Sequence, residues 1–235
     1  MHYLRALCLG LLLMTGLPAQ AAAPAAELQS LRDGAYHATT QLMMYAILER
    51  AGERQTDAGK IINTLDPRVA ALNDKELLAS WQAARAALIN GPYQGNDVNQ
   101  IALYAMEDRT TEFARLIGQR MPHELSRQQR TLFDLTERMQ VLMTIYLRNS
   151  ADPIGGTNYS GINRDLDPAK LVKEFSAQLD ELAKTQPALA VKIKPKWHFL
   201  ITHLSNFNSQ LSVPYLVDIY GRQIIDLLLA TASKP

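Results

Sequence analysis

The chain has 235 residues, with 24 Lys plus Arg against 23 Asp plus Glu and a single cysteine. A formal charge of +1 excludes the strongly basic surface that nucleic acid or an anionic membrane calls for. A hydrophobic share of 47% at this length is enough for one sizeable core or two small helical units.

Met1 to Ala21 reads as a secretory signal peptide. Arg5 supplies the basic start, Leu7 to Leu17 an apolar core too short to span a bilayer, and Ala19-Gln20-Ala21 the small-x-small cleavage pattern. Cys8 lies inside this leader, and Leu7 before it is not the small residue that lipoprotein processing wants. The mature chain is then expected to carry no thiol, no disulfide and no lipid, and no later apolar run reaches membrane length. The expected location is the periplasm, with no transmembrane segment in the mature chain.

From Leu31 the spacing becomes helical through Ala35, Leu42, Tyr45 and Ala46, with Met43 and Met44 thickening the stripe. Gly52 and the polar run to Lys60 are read as ending or loosening that helix, and Asp66-Pro67 as starting another. Leu77, Leu78, Trp81, Ala84 and Leu88 form the next stripe, stopped by Asn90-Gly91-Pro92. Val98 to Ile117 makes a long helix that ends near Gly118 and Pro122. Ser126, with Gln129 three residues on, fits a capping box ahead of Leu132, Leu135, Met139, Leu142, Met143 and Tyr146. Ser150 to Leu166 reads as a loop, and Asp167-Pro168 starts a helix that runs to Pro187. A turn or short helix then leads to two amphipathic stripes, Trp197 to Leu211 and Leu216 to Leu228, joined by a polar break and Val213-Pro214. No strand pattern of any length is present. The expected class is all-α, an antiparallel helical bundle.

The second half lies over the first. Met43 overlies Met143, Asp66-Pro67 overlies Asp167-Pro168, and Trp81, Asn90 and Tyr104 overlie Trp197, Asn206 and Tyr220 at a common offset of 116 (197 − 81). This order predicts two related helical units in tandem, residues 27–118 and 124–232, packed as one compact domain, with Trp81, Tyr104, Met139, Met143, Trp197 and Tyr220 in the structural core.

Chemistry-bearing motifs are scarce. His198 and His203 are five residues apart and so point about 140° apart on a helix, unlike an i, i+4 metal pair. No Glu-x-x-His and no Cys-x-x-Cys-His occurs, Gly155-Gly156-Thr157 lacks a phosphate-loop lysine, and there is no Gly-x-Ser-x-Gly. The sequence calls for no metal and no cofactor, and the methionines read as core filler. Three arginines near apolar stripes are the candidate ligand-binding residues: Arg85 beside Trp81, Arg109 between Met106 and Phe113, and Arg138 beside Leu135 and Met139. Such a guanidinium needs an anionic partner or a route to water. One reading pairs these arginines with Glu107, Glu112 or Glu137; the other lets them converge on a small anion or small molecule between helices.

The segment Leu135-Thr136-Glu137-Arg138-Met139-Gln140-Val141-Leu142-Met143, running on to Tyr146-Leu147, resembles the Arg-Met-centred helix of the type IV pili methyl-accepting chemotaxis transducer N-terminal domain. That helical sensing module is similar to the periplasmic part of nitrate/nitrite sensor kinases. The family's second Gln-Arg pair is not supplied here, and the first copy around Gln41 to Tyr45 has no arginine, so an anion-contacting role carries over to Arg138 alone. The resemblance implies ligand or signal sensing in the periplasm, reported through a protein partner there or in the inner membrane. The alternatives are a structural or accessory bundle of an envelope assembly and, less favoured, an enzyme whose site is assembled by the fold.

Overall fold

The computed structural model describes residues 24–152, 166–205 and 213–233. The expected leader, most of the expected loop after Ser150, and Asn206 of the repeat lie outside them. Among the described residues the chain forms α1 (Ala25–Ile47), α2 (Gly52–Ala71), α3 (Lys75–Asn90), α4 (Gln100–Arg120), α5 (Arg127–Ala151), α6 (Pro168–Thr185), α7 (Pro187–Ser205) and α8 (Pro214–Ala232). The class is all-α with antiparallel packing. A short antiparallel ladder, Tyr93–Gln94 with Asp97–Val98, closes the turn between α3 and α4, where Gly95 takes a φ of +62° that most side chains resist. No helix among the described residues is long and apolar enough to cross a membrane.

Local signals set several of the helix ends. Asp74, Asn99, Ser126 and Asp167 cap α3, α4, α5 and α6 through side-chain oxygens that accept backbone N–H groups. Ser126 and Gln129 form the full capping box that their spacing predicts. Asp167-Pro168 and Pro214 begin helices as expected. Gly91, at φ +66°, stops α3.

Two expectations fail at prolines. Asp66-Pro67 is not a helix start: Pro67 lies inside α2, which already begins at Gly52 and keeps the polar run to Lys60 helical. Ala58, Ile62, Leu65 and Val69 supply its buried stripe. Pro195 lies inside α7, so the expected turn before Trp197 is continuous helix from Pro187. Proline deprives the carbonyl four residues earlier of its donor. At both sites that residue, Asn63 or Val191, is exposed, so water can serve the carbonyl.

Helices α1 to α4 pack as a closed ring, each against its two neighbours, and α5 to α8 form a second ring of the same kind. The rings meet where α1 lies against α5 and α8, and where α4 touches α5. One apolar core runs through all eight helices. Met139, Met143 and Trp81 are fully buried and Trp197 nearly so. Each indole lies on the third helix of its ring and donates its N–H to the helix before it: Trp81 to Asp66 Oδ1 at 2.8 Å, Trp197 to Ser176 Oγ at 3.0 Å. Each also packs on a phenylalanine, Phe113 and Phe175 respectively. The two tyrosines stand at the margin of the core, Tyr220 packed against it. Tyr104 is half-buried, with its hydroxyl donating to Asp152, and Tyr220 is half-buried with its ring edge-on to Phe199. Each carries a hydroxyl that needs a polar partner or water, which keeps it at the margin.

Candidate functional site

The two first helices of the rings, α1 and α5, are buried on nearly every side because each is covered both by its own ring and by the other. A helix placed so is expected to be apolar all round. These are not: Gln29, Arg32, Thr39, Thr40 and Gln41 on α1, and Thr136, Gln140, Thr144 and Arg148 on α5, are all buried. Desolvating such groups costs unless they are hydrogen-bonded. The threonines donate back to carbonyls of their own helices, and the arginines and glutamines bond to other side chains at or beside the seam between the rings.

Near the base, Arg32 donates through Nη1 to Glu137 on α5 and through Nη2 to Gln29 Oε1 and the Phe133 carbonyl. One residue up, Asp33 accepts from Gln140 Nε2 at 2.7 Å and from both terminal nitrogens of Arg222 on α8, at 2.9 and 2.6 Å. Higher still, Arg54 of α2 donates to Gln41 Oε1 at 2.7 Å and to Asp218 Oδ2 of α8 at 3.0 Å. On the α4 side, Arg148 Nη1 meets Glu107 Oε2 at 2.7 Å, and Gln100 Nε2 meets Asp152 Oδ2 at the same distance. Thr39 and Thr110 share a hydrogen bond of 2.7 Å between α1 and α4.

Burial in this seam moves several titrations. Tyr36 is held far above the ordinary phenol range, first by burial and then by the negative charge of Glu137. His37 is lowered, again by burial first and then by the Arg222 guanidinium. Asp218 is raised by burial, against the opposing pull of Arg54.

At the base the seam opens into a cleft of about 320 Å³, walled by α1, α5 and the connection from α4 to α5. Arg32, Glu137, Arg130, Asp134, His123 and Gln119 supply its polar lining, and Leu125 and Phe133 lead its apolar lining. Arg32 is 3% exposed, and its Nε–H and the Gln29 Nε2 amide are buried donors without an acceptor.

The three arginines singled out from the sequence do not come together. Arg138 makes an ion pair with Glu174 across α5 and α6, with both side chains about a third exposed. Arg85 donates to Asp66 Oδ2 at 2.7 Å, on the carboxylate that also takes the Trp81 N–H. Arg109 is exposed. The glutamates expected to pair with them serve other arginines: Glu107 serves Arg148, Glu112 serves Arg115 and Glu137 serves Arg32. Sequence reasoning missed Arg32, although its signal is present. It falls between Leu28 and Ala35 at helical spacing, inside the α1 stripe rather than beside it. Among the described residues no three His, Asp or Glu side chains cluster as a metal site. In comparisons with known proteins, no family model matches the chain, and neither a curated protein nor a solved structure matches it.

Proposed function

We propose that the chain is an exported helical module, two related four-helix units in tandem, that senses a ligand or signal in the periplasm and reports it through a protein partner. The observation that carries this reading is the charged seam between the rings, ending in a cleft whose floor is a buried arginine with an unserved donor. A purely structural joint between two helical rings needs only apolar contact, and buried ion pairs are often no more stabilising than hydrophobic replacements. An ionic seam is instead suited to exchange partners when a ligand supplies a competing group. The likeness of the Arg138-Met139 helix to the transducer module supports the same reading.

The test is native mass spectrometry of the chain recovered from the periplasmic fraction of its source cells. A mature chain beginning near Ala22, carrying a small molecule or a co-purifying membrane protein, is the expected result. A chain that stays with the cytoplasm and retains neither would overturn the reading.

A further inference from the structure

The cleft at Arg32 differs from the rest of the seam in one respect, and Arg222 shows it by contrast. Arg222 engages both oxygens of Asp33 with its terminal nitrogens and reaches Asp226 with Nε, so its fork is filled by carboxylates. Arg32 is the more deeply buried of the two. Yet one Glu137 oxygen, one neutral amide oxygen and one backbone carbonyl at 3.3 Å are all that meet it. Its Nε–H has no acceptor, nor has the Nε2 amide of Gln29, the residue it touches. Across the cleft, the exposed Arg130 among the described residues donates only to the backbone carbonyls of His123 and Leu125, at 3.2 and 3.4 Å, and makes no ion pair. Two guanidiniums therefore face one cleft with fewer acceptor oxygens than they have donors to place, and the fork geometry of arginine matches a carboxylate.

Size and charge narrow the class. At about 320 Å³ the cleft has room for a small organic molecule. Phe133 and Leu125 offer an apolar wall for a carbon body. Arg32 and Arg130 are balanced by Glu137 and Asp134, so a ligand bearing only negative charge would leave the site with an excess. A carboxylate that takes Arg32 also releases Glu137, which then needs a cation. We propose that the cleft binds a small zwitterionic amino acid with an apolar side chain. Its carboxylate takes Arg32 and Arg130, its ammonium takes Glu137 and Asp134, and its side chain lies against Phe133. Binding then exchanges the α1–α5 ion pair for two contacts to the ligand, so the seam itself registers occupancy. This inference rests on the sensing role proposed above and names its ligand class.

The experiment is calorimetric titration of the mature chain with leucine, methionine and phenylalanine, with the same acids lacking the amine, and with nitrate. Saturable binding of one or more of the amino acids is expected, with the amine-free acids weaker by about tenfold or more, the scale of one charge-assisted hydrogen bond. Arg130→Gln, at an exposed position, is expected to weaken amino-acid binding by a similar factor. Asp134→Asn is expected to weaken the amino acids while leaving the amine-free acids no weaker, since it removes a negative charge beside their carboxylate. Equal binding of acids with and without the amine would overturn the zwitterion assignment, and binding unaffected by Arg130→Gln would overturn the site. If native mass spectrometry finds a retained molecule but no amino acid binds, the ligand class falls and the sensing role stands. If neither occurs, both fall.

Discussion

Glu107 and Arg148 set the residue-level logic of this protein. Both are essentially buried, and their ion pair joins α4 to α5. Removing one partner of a buried pair leaves a charge in the interior, so Glu107→Ala is expected to lower unfolding free energy by about 3–5 kcal/mol in urea titrations. Arg138 and Glu174 make the same kind of contact where water competes, and Arg138→Ala is expected to cost at most about 1 kcal/mol. A large loss at Arg138 would mean that the pair is shielded far more than its exposure implies. Burial, and not the identity of the pair, therefore decides which arginine matters to stability. The same distinction separates Arg32, buried and under-served, from Arg109, which water solvates.

At the scale of the element, the two tryptophan helices make a matched comparison. Trp81 donates to a carboxylate and Trp197 to a hydroxyl, each from the third helix of its ring. A hydrogen bond to a charged acceptor contributes about 1.5–3 kcal/mol and a neutral one about 0.5–1.5. Trp81→Phe is therefore expected to destabilise more than Trp197→Phe, read as the difference in urea midpoints at equal slope. Helix α8 offers a second test, because Gly221 lets it approach α5 closely. A Cβ at Gly221 would fall 2.3 Å from the Met143 sulfur, so Gly221→Ala must push that side chain aside. Overpacking costs about 1–3 kcal/mol, against a helix-propensity gain of about 1. Net destabilisation is expected. Combining it with Met143→Ala should cost less than the sum of the two single changes, the signature of a shared space.

For the whole molecule, the seam makes stability depend on pH. His37 is lowered by burial and by Arg222, with Asp33, Asp226 and Arg54 as its other charged neighbours. The unfolded state then takes up a proton near pH 6.5 that the folded state refuses until its own lower pKa, so stability falls as pH drops through that window. His37→Gln is expected to flatten the fall of the urea midpoint below about pH 6.5. Asp218 acts in the opposite sense. Its raised pKa means the folded state holds a proton that the unfolded state has lost, so its burial penalty grows as pH rises above the ordinary aspartate range. A His37→Gln variant that kept an identical acid slope would place the responsible group elsewhere.

The sequence by itself determined most of the helices, the caps at Ser126 and Asp167, and the apolar stripe that each of those helices buries. These are local matters: a side-chain oxygen within three residues of an N–H, or an apolar period close to 3.6, acts the same way wherever the helix later packs. It misplaced α2 and the start of α7 because proline at an exposed position can sit inside a helix, and exposure is not a local property. Pairing across the seam was beyond it altogether. Arg32 and Glu137 are 105 residues apart, and Asp33 and Arg222 are 189 apart. A stripe tells which face of α1 is buried, but not that a second ring covers the remaining faces. Only when α5 and α8 close over α1 do Arg32 and Asp33 acquire their partners Glu137, Gln140 and Arg222. Tertiary packing thus decided which charges are structural, which are solvated, and which one is left facing a cleft with a donor unserved.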